Sequence, residues 1–185
     1  GWTANNRRWG AGALMFDGSN DYVTVTDNTT LEPASTFAVG IWFKANALSG
    51  TRYLLIQKGT AHDQGVNGYA LSVATSKLEG YVVTGTNTEN VITGRTTLLP
   101  GNWYFAVFTY DGSNLNLYLN GQSDANAVVV TGVVDYTGGC QTLQLGAQQG
   151  NSCANINLFN GTIDAPVVYS RAMTATEILS NYQSS

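Results

Sequence analysis

Short alternating segments separated by turn residues run through almost the whole sequence. The segment "TFAVGIWFKA" places Phe37, Val39, Ile41 and Phe43 on one face of an extended strand and Trp42 on the opposite face. This alternation with a period of two is typical of a strand that is covered on at least one side. Many such segments in succession predict an all-β sandwich.

Only the C-terminal segment "MTATEILSNY" has a helical pattern. Thr174 followed three residues later by Glu177 is the signature of a capping box. Ile178, Leu179 and Tyr182 would then form an apolar edge that docks on the sandwich. Since no linker or shift in composition divides the chain, we expect one domain over residues 1–185, with residues 1–10 as an N-terminal arm.

Charge excludes two classes of partner. The formal net charge is −4, and Arg7 and Arg8 are the only adjacent basic residues among the eight in the chain. A nucleic-acid-binding surface needs a basic stripe, so no nucleic-acid partner is expected. Without an apolar run of about 18 residues, no membrane insertion is expected either.

The chain contains two cysteines, Cys140 and Cys153, which enclose a polar loop. We expect a disulfide, because the turn-rich and weakly charged composition is typical of secreted proteins; two unpaired thiols are the alternative. A disulfide across a loop of this length would stabilise the fold by about 3 kcal/mol. This predicts an extracellular location, or one on a virion or cell surface.

The tetrapeptide DGSN occurs twice. The second copy, Asp111–Asn114, lies between two alternating strands and is predicted to be a hairpin turn. Around the first copy, Asp17, Asn20 and Asp21 place several oxygen donors within five residues. Calcium takes six to eight oxygen ligands, so this turn is a candidate metal site.

An ordered set of segments resembles one known family. The segments are "GAGALMFDGSNDYVTV", "FAVGIWFKA", "LLIQKG", "GYALSV", "LPGNWYFAVFTYDGSNLNLYLNG", "LQLGA" and "FNGTIDAPVVYSRAMTATEI". Together they resemble a laminin-G-like module of the concanavalin A-like lectin/glucanase superfamily, from about Gly10 to Tyr182. The resemblance implies a two-sheet antiparallel jelly roll in which the first and last strands are neighbours.

The same resemblance implies a structural calcium site. Asp17 in "FDG" and Asp164 in "GTID" match the family's ligand positions, with Asn20 and Asp21 as further donors. A calcium ion between them would fasten the two ends of the chain. The alternative is that Asp17 and Asp164 only cap local turns.

Catalysis is not expected. Glucanases of this fold use a Glu-x-Asp-x-Glu motif, in which alternation brings two carboxyl groups about 5 Å apart, and the sequence contains no such motif. The candidate ligand-binding residues are polar and aromatic side chains in loops or on outward faces: Trp42, Arg52, Tyr53, His62, Tyr81, Asn87, Arg95 and Tyr136. For each of them, packing is the alternative. Trp2 and Trp9 are expected to lie against the sandwich.

These observations predict a non-catalytic, extracellular carbohydrate-binding or adhesion module that recognises a glycan or a glycoprotein surface and carries structural calcium. The alternative is a self-assembling subunit of a filament, virion or surface layer, which would contact copies of itself or a larger assembly. Binding specificity depends on loops rather than on the scaffold, so the fold alone does not separate the two.

Overall fold

The structure is a computed structural model that describes residues 1–48, 50, 52–60, 67–85, 87–150 and 152–185. Two antiparallel sheets face each other. Sheet A contains, in spatial order, β1 (Trp2–Thr3), β2 (Ala13–Asp17), β16 (Asn160–Tyr169), β4 (Phe37–Ala45), β9 (Trp103–Tyr110), β10 (Asn114–Leu119) and β11 (Gln122–Ser123), with β12 (Val128–Val129) also paired to β10.

Sheet B forms the second layer of the sandwich. In spatial order it contains β3 (Val23–Val25), β13 (Leu143–Leu145), β5 (Arg52–Lys58), β6 (Tyr69–Ala74), β7 (Lys77–Thr84) and β8 (Thr88–Thr93). The remaining elements are a short hairpin of β14 (Gln148–Gln149) and β15 (Asn155–Ile156), a 3-10 turn at Thr29–Leu31, and the helix α1 (Ala175–Gln183). This architecture confirms the predicted jelly-roll sandwich with one C-terminal helix.

The main core lies between the two sheets. Phe37, Val39, Ile41 and Phe43 from β4 are fully buried in it, on the face that alternation predicts. They meet side chains of sheet B, and Phe37 stacks on Tyr69 with ring centroids 4.8 Å apart. Burial of each such side chain contributes about 1.5–3 kcal/mol, so this stripe is a major source of stability.

The two ends of the chain meet in sheet A, as the resemblance implies. Strand β2 pairs with β16 in an antiparallel register that places Asp17 opposite Asn160 and Leu14 opposite Ile163. On its other side β16 pairs with β4, and Asp164 lies opposite Trp42. A bulge follows between Asp164 and Val167, where Ala165 has a φ of 45°.

Helix α1 begins as predicted. The side chain of Thr174 accepts a hydrogen bond from the Glu177 amide, and the Glu177 carboxylate accepts one from the Thr174 amide. Ile178 and Tyr182 then pack on the outer face of sheet A. Among the described residues, no helix is long and apolar enough to cross a membrane.

The disulfide predicted between Cys140 and Cys153 is present, with Cα atoms 5.6 Å apart. Its loop returns over the outer face of sheet B, where Gln57 is fully buried. The Gln57 side-chain oxygen accepts a hydrogen bond from the Gln149 amide at 3.1 Å. Because a buried amide needs such partners, the disulfide loop completes the hydrogen bonding of this face.

Candidate binding groove on the outer face of sheet A

The outer face of sheet A carries a second apolar cluster beneath the C-terminal helix. Trp42 points away from the main core, as predicted, but it is only 3% exposed. Its ring lies 5.3 Å from that of Phe105 and 5.7 Å from that of Tyr182 in α1, measured between centroids. Trp42 therefore contributes mainly to docking of the helix.

The N-terminal arm lies on the same face, beside the helix. The Asn6 side-chain amide donates a hydrogen bond of 2.8 Å to the Thr162 hydroxyl and accepts one of 2.9 Å from the Lys44 ammonium. The Arg8 guanidinium lies 4.4 Å from the centroid of the Trp42 ring. This distance is within the range of a cation–π interaction, so the arm covers the ring that the helix leaves open.

Asp164 anchors the arm at its centre. One carboxylate oxygen, Oδ2, accepts hydrogen bonds from the backbone amides of both Arg8 and Trp9, each at 2.7 Å. The side chain is 5% exposed, and a buried carboxylate needs compensation of this kind. Hydrogen bonds to an ionised acceptor are the stronger class, so these two bonds fix where the Trp9 backbone lies.

A groove, here called the arm–helix groove, remains between the arm and the end of α1. Trp9 is 52% exposed and Tyr169 is 37% exposed in its walls. Trp42 also lines it, and Asn181 and Ser184 supply polar groups from the helix. Its volume of about 200 Å³ is below the roughly 300–1,000 Å³ of drug-sized pockets, so it suits one small ring rather than a long ligand.

The chemistry of the groove favours binding over catalysis. Exposed aromatic faces offer apolar contact, while an amide and a hydroxyl offer hydrogen bonds. The described residues that line the groove include no Asp, Glu, His, Cys or Lys. The contacts that the groove offers are therefore mainly those of a binding site.

The calcium ligands expected from the resemblance are not gathered in one place. Asp17 faces Asn160, and Asp164 lies four residues further along β16. At roughly 3.3 Å per residue their backbones are about 13 Å apart. Calcium holds its oxygens at about 2.3–2.6 Å, so one ion ligated by both carboxylates does not fit this arrangement.

The first DGSN segment has hydrogen bonds of its own. Asp17 Oδ1 accepts them from the amides of Ser19 at 2.7 Å and Asn20 at 3.2 Å. These two bonds lower the pKa of the exposed Asp17 carboxyl. Asn20 and Asp21 lie in the same turn, whereas Asp164 does not. Among the described residues no group of three or more His, Cys, Asp or Glu forms a metal cluster, so calcium binding at the turn stays a prediction.

Four of the expected ligand-binding residues pack within sheet B or beside it. Arg52 forms an ion pair with Glu79 at 3.1 Å. Tyr81 is 2% exposed and donates a hydrogen bond of 2.5 Å to the Thr60 carbonyl. The Tyr53 hydroxyl accepts a hydrogen bond of 2.6 Å from the Gly50 amide. The Tyr136 hydroxyl donates one of 3.1 Å to the Pro33 carbonyl.

Two more of the expected residues, Asn87 and Arg95, are exposed at the surface. Asn87 occupies a turn with a φ of 57°. Arg95 donates a hydrogen bond to the side chain of Asn126. His62 lies outside the described residues. Of the seven predicted positions that the structure describes, Trp42 is the one that lines the arm–helix groove.

The residues that best define the groove were missed. Trp9 was expected to lie against the sandwich, whereas about half of it is exposed. Trp9 lies in the polar, non-alternating segment "GWTANNRRWG", and an indole in such a segment was the available signal. The sequence around Tyr169 and Asn181 contained no such signal, because these two residues become neighbours only when α1 docks on the sheet.

Comparison with known proteins identifies the family to which the chain belongs. The family model for the concanavalin A-like lectin/glucanases superfamily matches residues 17–179. No curated protein sequence matches the chain.

Solved structures with a similar fold include toxin binding domains. The binding domain of Paraclostridial Mosquitocidal Protein 1 has 14% identity and a TM-score of 0.75; the match covers 100% of this chain and 45% of that one. The binding domain of botulinum neurotoxin serotype G has 15% identity and a TM-score of 0.70, with 95% and 43% covered.

A third structure comes from work on botulinum neurotoxin type C, whose cell entry depends upon interaction with two ganglioside molecules. It has 16% identity and a TM-score of 0.67, with 92% of this chain and 42% of that chain covered. The chain thus spans less than half the length of these three structures, and the likeness is one of fold. On the family match over most of its length, the chain belongs to the concanavalin A-like lectin/glucanases superfamily.

Proposed function

We propose that this chain is a non-catalytic, extracellular carbohydrate-binding module that seats a terminal sugar ring in the arm–helix groove. The observation that carries the proposal is the exposed indole of Trp9 beside Asn181 and Ser184. Sugars present C–H groups to an aromatic face and hydroxyls to planar amides and side-chain hydroxyls. One groove here offers both kinds of contact.

Two further observations support the proposal. Similar folds occur in toxin binding domains, one of them from a toxin that uses gangliosides for cell entry. The sequence also lacks the carboxylate motif with which glucanases of this superfamily act. Fold by itself does not fix function, so the proposal depends on the groove.

A saccharide array followed by calorimetry tests the proposal. Replacement of Trp9 by Ala should weaken binding of any saccharide found by at least about tenfold, a loss of about 1.4 kcal/mol. Trp2→Ala is the matched control, because Trp2 is 64% exposed and does not line the groove. Absence of saccharide binding, or equal effects of the two substitutions, would contradict the proposal.

A self-assembling subunit is the second candidate, favoured by one apolar surface. Val129 is 78% exposed in β12, at one side of sheet A, and nearby Val133 is 59% exposed. An unpaired strand edge with exposed valines is a template for pairing with another chain. Ordered polymers in negative-stain images, dispersed by Val129→Lys, would favour this function over sugar binding.

A further inference from the structure

We propose that Asp164 is a positioning residue whose ligand is the N-terminal arm rather than a cation. Its carboxylate holds the arm over sheet A and thereby sets the position of Trp9 in the groove. The role of the groove in sugar binding rests on the function proposed above. The attachment of the arm to Asp164 rests on geometry alone and is tested separately.

The hydrogen bonding at Asp164 resembles the way a backbone binds an anion. Two consecutive amides, those of Arg8 and Trp9, converge on the single oxygen Oδ2 at 2.7 Å each. Consecutive N–H groups that point at one centre form a concave anion site. Here the anion belongs to the protein, and the arm supplies the positive potential that a metal ion would otherwise supply.

The arm and a metal ion are therefore alternative partners of this oxygen. A cation on Oδ2 would face the positive ends of two N–H dipoles and would have to displace them. Asp164 is only 5% exposed, so the space beside its carboxylate is already filled. Asp164 lies away from the Asp17 turn and contacts the arm instead, so its position does not fit the four-ligand calcium site that the resemblance implies.

Contacts on both sides of Asp164 hold the same arm. Asn6 bonds to Thr162 at 2.8 Å on one side, and Arg8 covers Trp42 at 4.4 Å on the other. Both contacts are made by side chains that are at least partly exposed, whereas the buried Asp164 makes two charge-assisted bonds to the backbone of the arm. Loss of Asp164 should therefore release the arm more than loss of either neighbour.

Limited trypsin digestion measures how firmly the arm is attached. Trypsin cuts after Arg7 and Arg8, and the amides of those two peptide bonds are the donors to Asp164. When opening is fast relative to cleavage, the cleavage rate follows the population of the open arm. Asp164→Ala should raise the rate of arm cleavage at least about tenfold and remove hydrogen-exchange protection from both amides.

The matched control is Asp111→Ala. Asp111 Oδ1 also accepts two backbone amides, at 2.8 and 2.7 Å, but in a distant hairpin. This variant should leave arm cleavage at the wild-type rate. If Asp164→Ala fails to fold, Asp164→Asn replaces it; a neutral acceptor forms weaker bonds, so cleavage should rise several-fold while the unfolding temperature is nearly retained.

Two results would overturn the proposal. The first is arm cleavage that is equally fast in the wild type and in the folded Asp164 variants. The second is faster cleavage of the wild-type arm in millimolar calcium than in chelator, because a cation would then compete for Asp164. Neither measurement uses a sugar, so failed sugar binding with an Asp164-dependent arm would reject only the proposed function.

Discussion

Asp17 and Asp111 form the same turn in two unrelated places. Each begins a DGSN segment, and each carboxylate Oδ1 accepts the backbone amides two and three residues further on. Gly18 and Gly112 follow them with φ values of 76° and 90°, in the region that favours glycine. The tetrapeptide therefore encodes a turn, whether or not the first copy also binds an ion.

Because the two turns have the same hydrogen bonds, comparison of Asp17 with Asp111 tests whether calcium binds at the first turn. We expect Asp17→Ala and Asp111→Ala each to lower the free energy of unfolding by a similar small amount, because each removes the same two capping bonds. The measurement is chemical unfolding in calcium and in chelator. A larger loss for Asp17→Ala that occurs only in calcium would instead show a metal at the first turn.

Lys58 should be essential for stability. Its side chain is fully buried, and its ammonium lies 2.5 Å from Asp27 and 2.9 Å from Glu32. Lys58→Met should lower the free energy of unfolding by about 2–4 kcal/mol. Breaking a fully buried ion pair costs somewhat more, but here both carboxylates are partly exposed to water. Lys77→Met is the control, since Lys77 forms no ion pair among the described residues. Equal midpoints of urea unfolding for the two variants would contradict this prediction.

Reduction of the disulfide should lower stability by about 3 kcal/mol, because the closed loop limits the unfolded chain. Cys140 and Cys153 bracket β13, a strand that joins β3 to β5. Guanidinium unfolding of oxidised and reduced protein measures the difference. A serine double variant, Cys140→Ser with Cys153→Ser, should match the reduced protein, and an unchanged midpoint on reduction would argue against the loop-closure account.

Acid should weaken the docking of α1 through Glu177. Hydrogen bonds from Arg171, and then from the Thr174 backbone and hydroxyl, lower the pKa of Glu177 to about 2. Because the pKa is lower in the folded protein, this contribution is complete above the unfolded value of about 4.5 and is lost as the pH falls towards 2. The difference in unfolding temperature between the wild type and Glu177→Gln should therefore shrink over that interval. A constant difference from pH 5 to pH 2 would contradict it.

Alternation and capping predicted the fold well. The side-chain period of two separates Phe37, Val39, Ile41 and Phe43 from Trp42 whatever the order of the strands, so the core face could be assigned from sequence. The Thr174–Glu177 box is equally local, and it begins α1 as expected. Both predictions needed only residues that are close in sequence.

The candidate site could not be predicted in the same way, because it depends on register and docking. The resemblance correctly implied that β2 and β16 are neighbours, but the four-residue offset of Asp17 from Asp164 depends on which residues pair. Tyr81 looks like an outward aromatic in sequence, yet it is buried and its hydroxyl donates hydrogen bonds to the carbonyls of Thr60 and Asn67. Such long-range burial has no local signal.

The arm–helix groove takes one wall from Trp9 and another from Asn181 and Ser184, with the sandwich between them in sequence. Contacts of such high sequence separation close late in folding, because the chain loses loop entropy before it gains them. A ligand that contacted both walls would hold the N-terminal arm and the end of α1 together. Ligand binding in the groove would therefore reduce local unfolding of both segments.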